Sequence, residues 1–108
     1  MAAPTINSRA RSYLRSLAHG LRPVVQVGHD GITEAVTKAT QVALREHELI
    51  KVKIGQGFAG DRKEAARTLA EATESDLTQV IGRVVILYRP RSAKSAKNLV
   101  KPPIVLPS

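Results

Sequence analysis

Residues 24–33 read Val24-Val25-Gln26-Val27-Gly28-His29-Asp30-Gly31-Ile32-Thr33, and their reading decides the fold. Val24 to Val27 is short and β-branched, the signature of a strand, and Pro23 opens it. Gly28-His29-Asp30-Gly31 ends the run in a tight turn. Thr33 is a good helix cap. Beyond it Val36, Ala39, Ala43 and Leu44 recur at helical spacing, which predicts a helix from Glu34 to about His47 with those four residues buried. A second strand follows at once. In Leu49-Ile50-Lys51-Val52-Lys53-Ile54 the apolar residues Ile50, Val52 and Ile54 point inward, and Lys51 and Lys53 lie on the other face.

Upstream, Thr5 or Asn7 can cap a helix reaching about Ala18. Ile6, Ala10, Leu14, Leu17 and Ala18 share one of its faces, and Arg9, Arg11 and Arg15 fall mostly off that stripe, toward solvent. Gly20 is placed to stop the helix. Downstream, Gly55-Gln56-Gly57-Phe58-Ala59-Gly60 is a flexible connection. Asp61, with Glu64 three residues later, starts a third helix as a capping box, and Ala65, Leu69 and Ala72 or Thr73 face the core. Leu77–Ile81 and Val84–Arg89 are strands joined by a Gly82-Arg83 hairpin turn. The order is α-β-α-β-α-β-β: a single compact α/β domain over residues 1–90, with a mixed four-stranded sheet and helices packed on it. Residues 91–108 read as a flexible basic tail, although Ile104-Val105-Leu106 is apolar enough to dock back.

The chain has 108 residues, 17 Lys+Arg against 9 Asp+Glu, and a net charge of +8. That length holds one hydrophobic core. The excess charge sits at the two ends. Residues 1–29 contain Arg9, Arg11, Arg15 and Arg22 and no acid, and residues 89–108 contain Arg89, Arg91, Lys94, Lys97 and Lys101 and no acid. Folding needs no such polarity, whereas a polyanion partner exploits it by releasing counterions from phosphates. A solubilising tail and an ordinary solvated helix face are the plainer explanation. Aromatics are 3 %, namely Tyr13, Phe58 and Tyr88, too few for single-strand binding that needs a ring for each base. Without cysteine there is no disulfide, thiolate metal site or cysteine nucleophile, which fits a reducing, cytoplasmic setting. No apolar run approaches the roughly 20 residues of a membrane span. The first residues have no apolar stretch after their arginines, against a secretory signal. Their arginines and lack of acids also suit an organelle transit segment, but they make a good first helix.

Gly28–Gly31 is the most informative motif. A GxxG turn between a strand and a helix lets backbone approach a phosphate with no Cβ in the way, and the amides and dipole of the following helix favour an anion at the same place. A plain strand-to-helix turn has the same sequence. Asp30 would repel a phosphate unless it caps the helix or bonds a base or ribose, and His29 supplies a donor whose protonation would sharpen anion binding. Other chemistries fare worse. There is no HxxxH or HxH pair among His19, His29 and His47, so no metal site is expected. His19 and His47 are better read as helix C-terminal residues bonding the last carbonyls. No serine has a GxSxG setting, and Gly55-Gln56-Gly57 with Gly60 lacks the GK[ST] of a P-loop. Phe58 is either an exposed stacking residue or a small core anchor. His47-Glu48 is the single acid–base candidate for an enzyme.

Several blocks together resemble a known family. They are Leu14-Arg15-Ser16-Leu17-Ala18-His19; Leu21-Arg22-Pro23-Val24-Val25-Gln26-Val27-Gly28 with Gly31-Ile32-Thr33; His47-Glu48-Leu49-Ile50-Lys51-Val52-Lys53; Val80-Ile81-Gly82; and Val85-Ile86-Leu87-Tyr88-Arg89-Pro90. In this order, over residues 5–90, they resemble the bacterial YhbY-like family, the stand-alone form of the CRM (chloroplast RNA splicing and ribosome maturation) domain. Ile104-Val105-Leu106-Pro107 is similar to the ending of some members. The resemblance implies a fold similar to the C-terminal domain of translation initiation factor three. It implies a non-enzymatic RNA-binding protein, associated with precursors of the large ribosomal subunit, with no cofactor and no small-molecule substrate. Its site would be Gly28, His29, Asp30 and Gly31 with a basic face drawn from Arg9, Arg11, Arg15, Arg22, Lys51 and Lys53, extended by Arg89 and Arg91. Members often carry a basic or amide residue inside the loop, where this chain has Asp30, and the Gly55–Gly60 stretch is unusually glycine-rich. A cytoplasmic monomer is expected. The competing reading is a translation-factor-like domain that docks on ribosomal proteins and uses its charge for steering.

Overall fold

The computed structural model describes residues 6–90 together with Ile104 and Leu106. Its elements are α1 (Ser8–Ala18), β1 (Pro23–Val27), α2 (Glu34–His47), β2 (Leu49–Ile54), α3 (Arg62–Ala72), β3 (Asp76–Ile81) and β4 (Val84–Tyr88), in the expected order. Each helix starts on a side-chain cap. Asn7 accepts from the Ala10 N–H, Thr33 from the Val36 N–H, and Asp61 from the Lys63 and Glu64 N–H groups. These bonds satisfy donors that a first helical turn leaves open, worth about 1 kcal/mol each.

The sheet runs β1-β2-β4-β3. β1 and β2 are parallel, as a strand–helix–strand crossover requires, and β4 is antiparallel to both of its neighbours. The sheet is therefore mixed. It also follows that β1, β2 and β3 all end, and β4 begins, at the same edge of the molecule. The β1–α2 loop, the β2–α3 loop and the Gly82-Arg83 turn meet there.

Helices cover both faces. On one, α2 and α3 bury Leu44, Leu69 and Ala70 against Val27, Ile50, Val52, Ile54 and Leu87. On the other, α1 lays Leu14 and Ala18 on Leu49, Ile86 and Tyr88, and Ile104 and Leu106 pack against the same cluster. The alternation in β2 is as expected, with Ile50, Val52 and Ile54 buried and Lys53 exposed. Near the C-terminus Ile104 and Leu106 do dock back. Their anchor is Glu48, which is 1 % exposed and accepts the Ile104 N–H at 2.7 Å.

Two buried faces differ from expectation, and a third settles between two alternatives. α1 packs through the narrow ridge Ala10–Leu14–Ala18, whose alanines let the helix approach closely, and Leu17 stays on the flank at 38 % exposure. In α2 Ala43 and Leu44 are buried and Val36 half-buried as expected, but Thr40 takes the place of Ala39, which is exposed. Thr40 tolerates burial because its hydroxyl donates to the Val36 carbonyl at 2.8 Å. At the end of α3, of Ala72 and Thr73 it is the C-cap Thr73 that is buried, its hydroxyl donating to the Leu69 carbonyl at 2.8 Å and meeting Ser75 Oγ at 2.9 Å. Gly20 does not stop α1 by a left-handed turn, because the chain leaves the helix through His19 in right-handed geometry. α2 stops at Glu48, whose φ of 63° takes it out of the helical path.

Candidate functional site

The Gly28–Gly31 loop stands at the end of β1 and leads into α2. The Gly31 N–H donates to the Gly28 carbonyl at 3.0 Å, closing a four-residue turn. Gly31 has φ +74°, which a residue with a Cβ rarely adopts. Gly28 has open space where a Cβ would stand. The side chains of His29 and Asp30 are 89 % and 85 % exposed, and His29 Nδ1 lies 3.3 Å from Asp30 Oδ1. Thr33, not Asp30, caps α2. The carboxylate thus has an imidazole beside it and is not committed to the helix end.

The Gly55–Gly60 loop underlies this turn. The Gly55 N–H donates to the Val27 carbonyl at 2.8 Å, and the Gly55 carbonyl accepts from the Phe58 N–H at 3.1 Å and from Arg83 Nη1 at 3.0 Å. Phe58 is half-buried and packs against the α2–α3 core, so of its two sequence readings the anchor is the observed one. Arg83 ties the hairpin turn to the same loop. Neither it nor the contact between the two glycine loops was read from sequence. The available signal was a lone aromatic flanked by glycines.

The cations divide by environment. Lys53 stands in one cross-strand row with Gln26, Val84 and Ile81, on the sheet face that also carries α1. Gln26, Lys53 and Ile81 are exposed there. Lys51, two residues back, donates through Nζ to the His19 carbonyl at 3.5 Å, favourable for a cation at a helix C-terminus. At His19 it is therefore the backbone, not the ring, that engages the helix end. Lys51 is opposite Pro23 in the β1–β2 register, which brings exposed Arg22 alongside. Gln26, Lys53 and half-buried Lys51 therefore share one sheet face leading back from Gly28, and Arg22 is exposed just before β1 begins. Arg9 and Arg15 are exposed on α1.

Arg11 is a correction. It is only partly exposed and is tied to a buried carboxylate. Its Nη2 donates to Asp76 Oδ1 at 2.9 Å, and the Asp76 side chain is only 9 % exposed. Asp76 Oδ2 accepts from Thr78 Oγ1 at 2.8 Å, so the pair ties α1 to β3. Arg89 is half-buried, with Nη2 3.9 Å from Glu74 Oε2. Arg91 lies outside the described residues.

The acid–base candidate also takes a different shape. The Glu48 carboxylate is turned into the protein toward Ile104, and His47 Nε2 lies 3.9 Å from Glu46 instead. Burial, with the Glu48 carboxylate adding to it, raises the Tyr88 phenol above its usual range. Among the described residues no three His, Asp or Glu side chains gather as a metal site would need, and no helix is long and apolar enough to cross a membrane.

Comparison with known proteins bears on this geometry. The CRS1 / YhbY (CRM) domain matches residues 6–89. The chain is 36 % identical over 86 residues to an RNA-binding protein of Haemophilus influenzae, covering 80 % of this chain and 87 % of that one. It is 34 % identical over 97 residues to the Bacillus subtilis protein named "Probable RNA-binding protein YqeI", covering 90 % and 99 % respectively. Among solved structures, SAV1595 of Staphylococcus aureus superposes with a TM-score of 0.73 at 42 % identity, over 95 % of this chain and 100 % of that one.

Proposed function

The chain belongs to the CRS1/YhbY (CRM) domain family, and from that premise we propose that it is a non-enzymatic RNA-binding protein that contacts ribosomal RNA during maturation of the large ribosomal subunit, as a cytoplasmic monomer. The observation that carries this reading is the Gly28–Gly31 turn at the N-terminus of α2, exposed at Gly28, His29 and Asp30, with Lys53 and Lys51 on the adjoining sheet face and Arg22 exposed before β1. Glycine backbone and helix amides receive a phosphate, and the cations track the neighbouring ones. The names of the relatives in Haemophilus influenzae and Bacillus subtilis support RNA as the partner class. With three aromatics in the chain, two of them in or against the cores, recognition rests on phosphate positions and RNA shape more than on base stacking.

The reading predicts a definite salt response. If Arg15, Arg22, Lys51 and Lys53 each neutralise one single-strand phosphate, log K falls with log salt at a slope of roughly −3. The particle assignment is tested by sedimenting cell extract at low and high salt and locating the protein with an antibody. A peak at or just below the large subunit, lost at high salt, is expected. A protein that stays at the top of the gradient at both salts contradicts the assignment. Binding to assembled particles but not to naked ribosomal RNA would replace RNA contacts with docking on ribosomal proteins.

A further inference from the structure

The β2–α3 loop meets the Gly28–Gly31 turn from beneath at three places. The Gly55 N–H bonds the Val27 carbonyl, the last acceptor of β1, at 2.8 Å. Gly57 lies against His29, whose backbone N and Cβ are both 3.9 Å from the place a Gly57 Cβ would occupy. Phe58 makes the third contact. Its Cε1 is 3.3 Å from the position of a Cβ on Gly31, and its Cζ is 2.7 Å from that of a Cβ on Gly60. The ring is therefore clamped between two glycines, and neither has room for a side chain unless the ring moves. The base of the ring is held by the α2–α3 core, and Arg83 fixes the start of the loop through the Gly55 carbonyl.

This arrangement has a consequence for the turn. Gly31 sits at φ +74° and is otherwise held by one backbone bond to Gly28 and one from Thr33. Glycine loses more conformational freedom on ordering than any other residue, so a turn with glycine at both ends samples many shapes unless something rigid abuts it. A phosphate bound by backbone amides needs those amides already aimed. We infer that Phe58 is a positioning residue for the RNA-binding turn: the ring, braced by Gly60, holds Gly31 and the following amides in the conformation that receives a phosphate. The inference rests on the RNA-binding reading above and adds to it a part for the glycine-rich β2–α3 loop.

The test compares six full-length proteins against transcribed large-subunit ribosomal RNA: wild type, Phe58→Ala, Phe58→Leu, Gly60→Ala, Gly28→Asp and Leu69→Ala. If removing the ring leaves the turn competent about a tenth of the time, apparent affinity falls about tenfold, because affinity scales with the competent fraction. Phe58→Ala is expected to show that loss with an unchanged salt slope, since no cation is touched, and with faster amide exchange at His29 and Gly31. Phe58→Leu, which keeps an apolar plug, restores most of the affinity. Gly60→Ala reaches the same ring from the far side and is expected to weaken binding with Phe58 intact, which keeps the test open if Phe58→Ala folds poorly. If Gly28→Asp weakens binding while Phe58→Ala and Gly60→Ala bind as wild type, the positioning role is wrong and the RNA-binding turn stands. A Leu69→Ala variant of equal thermal stability that loses as much affinity as Phe58→Ala also overturns it, by showing the effect to be general destabilisation. If Gly28→Asp binds as wild type, the turn is not the RNA site and the inference falls with it.

Discussion

Replacing Arg11 by alanine separates a structural cation from an RNA-binding one. In the folded protein Arg11 Nη2 holds Asp76 Oδ1 at 2.9 Å, and the two side chains are 36 % and 9 % exposed. Removing one partner of a fully buried pair costs about 3–5 kcal/mol, and a fully exposed pair contributes about 0–1 kcal/mol. The Arg11 side is partly solvated, and Asp76 keeps its bond from Thr78 at 2.8 Å. The expected loss is therefore intermediate, about 2 kcal/mol, as for one hydrogen bond to a charged group. For a domain of this size that lowers Tm by roughly 8–16 °C. Thermal denaturation followed by circular dichroism reads this directly. The double variant Arg11→Ala/Asp76→Ala should recover part of the loss, because no uncompensated carboxylate remains. RNA affinity of Arg11→Ala, measured well below its Tm, should stay within about twofold of wild type, a change of under about 0.5 kcal/mol. Arg15→Ala should do the opposite, leaving Tm nearly unchanged and weakening RNA binding. An Arg11→Ala protein that melts like wild type and loses as much RNA affinity as Arg15→Ala would refute the reasoning.

Burial and the Glu48 carboxylate raise the Tyr88 phenol above its usual value of 10.0. The unfolded chain therefore releases this proton more readily than the folded one, so the stability it contributes is complete below pH 10 and is lost as pH rises through the raised value. Tyr88→Phe should flatten the alkaline limb of urea midpoints plotted against pH, and an identical limb in both proteins would assign that limb to other groups. Glu48→Ala removes the acceptor of the Ile104 N–H, at a cost of about 1–3 kcal/mol. Exchange of the Ile104 amide should become fast, and persistent protection in the variant would show that the apolar contacts of Ile104 and Leu106 suffice to hold this segment.

Most of the architecture was legible because its signals are local. Asn7, Thr33 and Asp61 announce their helices within three residues, and the alternation in Leu49–Ile54 gives its two faces without reference to the rest of the chain. The GxxG turn was legible for the same reason. Partners that arrive from far along the sequence were not. Arg11 and Asp76 are 65 positions apart, and periodicity alone put Arg11 in solvent; Glu48 and Ile104 are 56 apart. The burial of Thr40 in place of Ala39 depends on Thr40 returning its hydroxyl to the Val36 carbonyl, which hydrophobicity does not encode. The bracing of one glycine loop by the other follows from β1 and β2 being parallel neighbours, which places both of their C-terminal ends together. Ambiguity over Phe58 ended once that adjacency was known.

The central claim, that RNA binds through the Gly28–Gly31 turn, is tested most directly by Gly28→Asp. No atom lies within 4 Å of the new Cβ, so the fold has room for the substitution, unlike one at Gly31, where φ is +74° and Phe58 is 3.3 Å away. The measurement is the dissociation constant for large-subunit ribosomal RNA of wild type and variant at one salt concentration, with Tm recorded for both. A second carboxylate in the turn should weaken binding at least tenfold, about 1.4 kcal/mol, at unchanged Tm. Equal dissociation constants in two equally stable proteins would contradict the account.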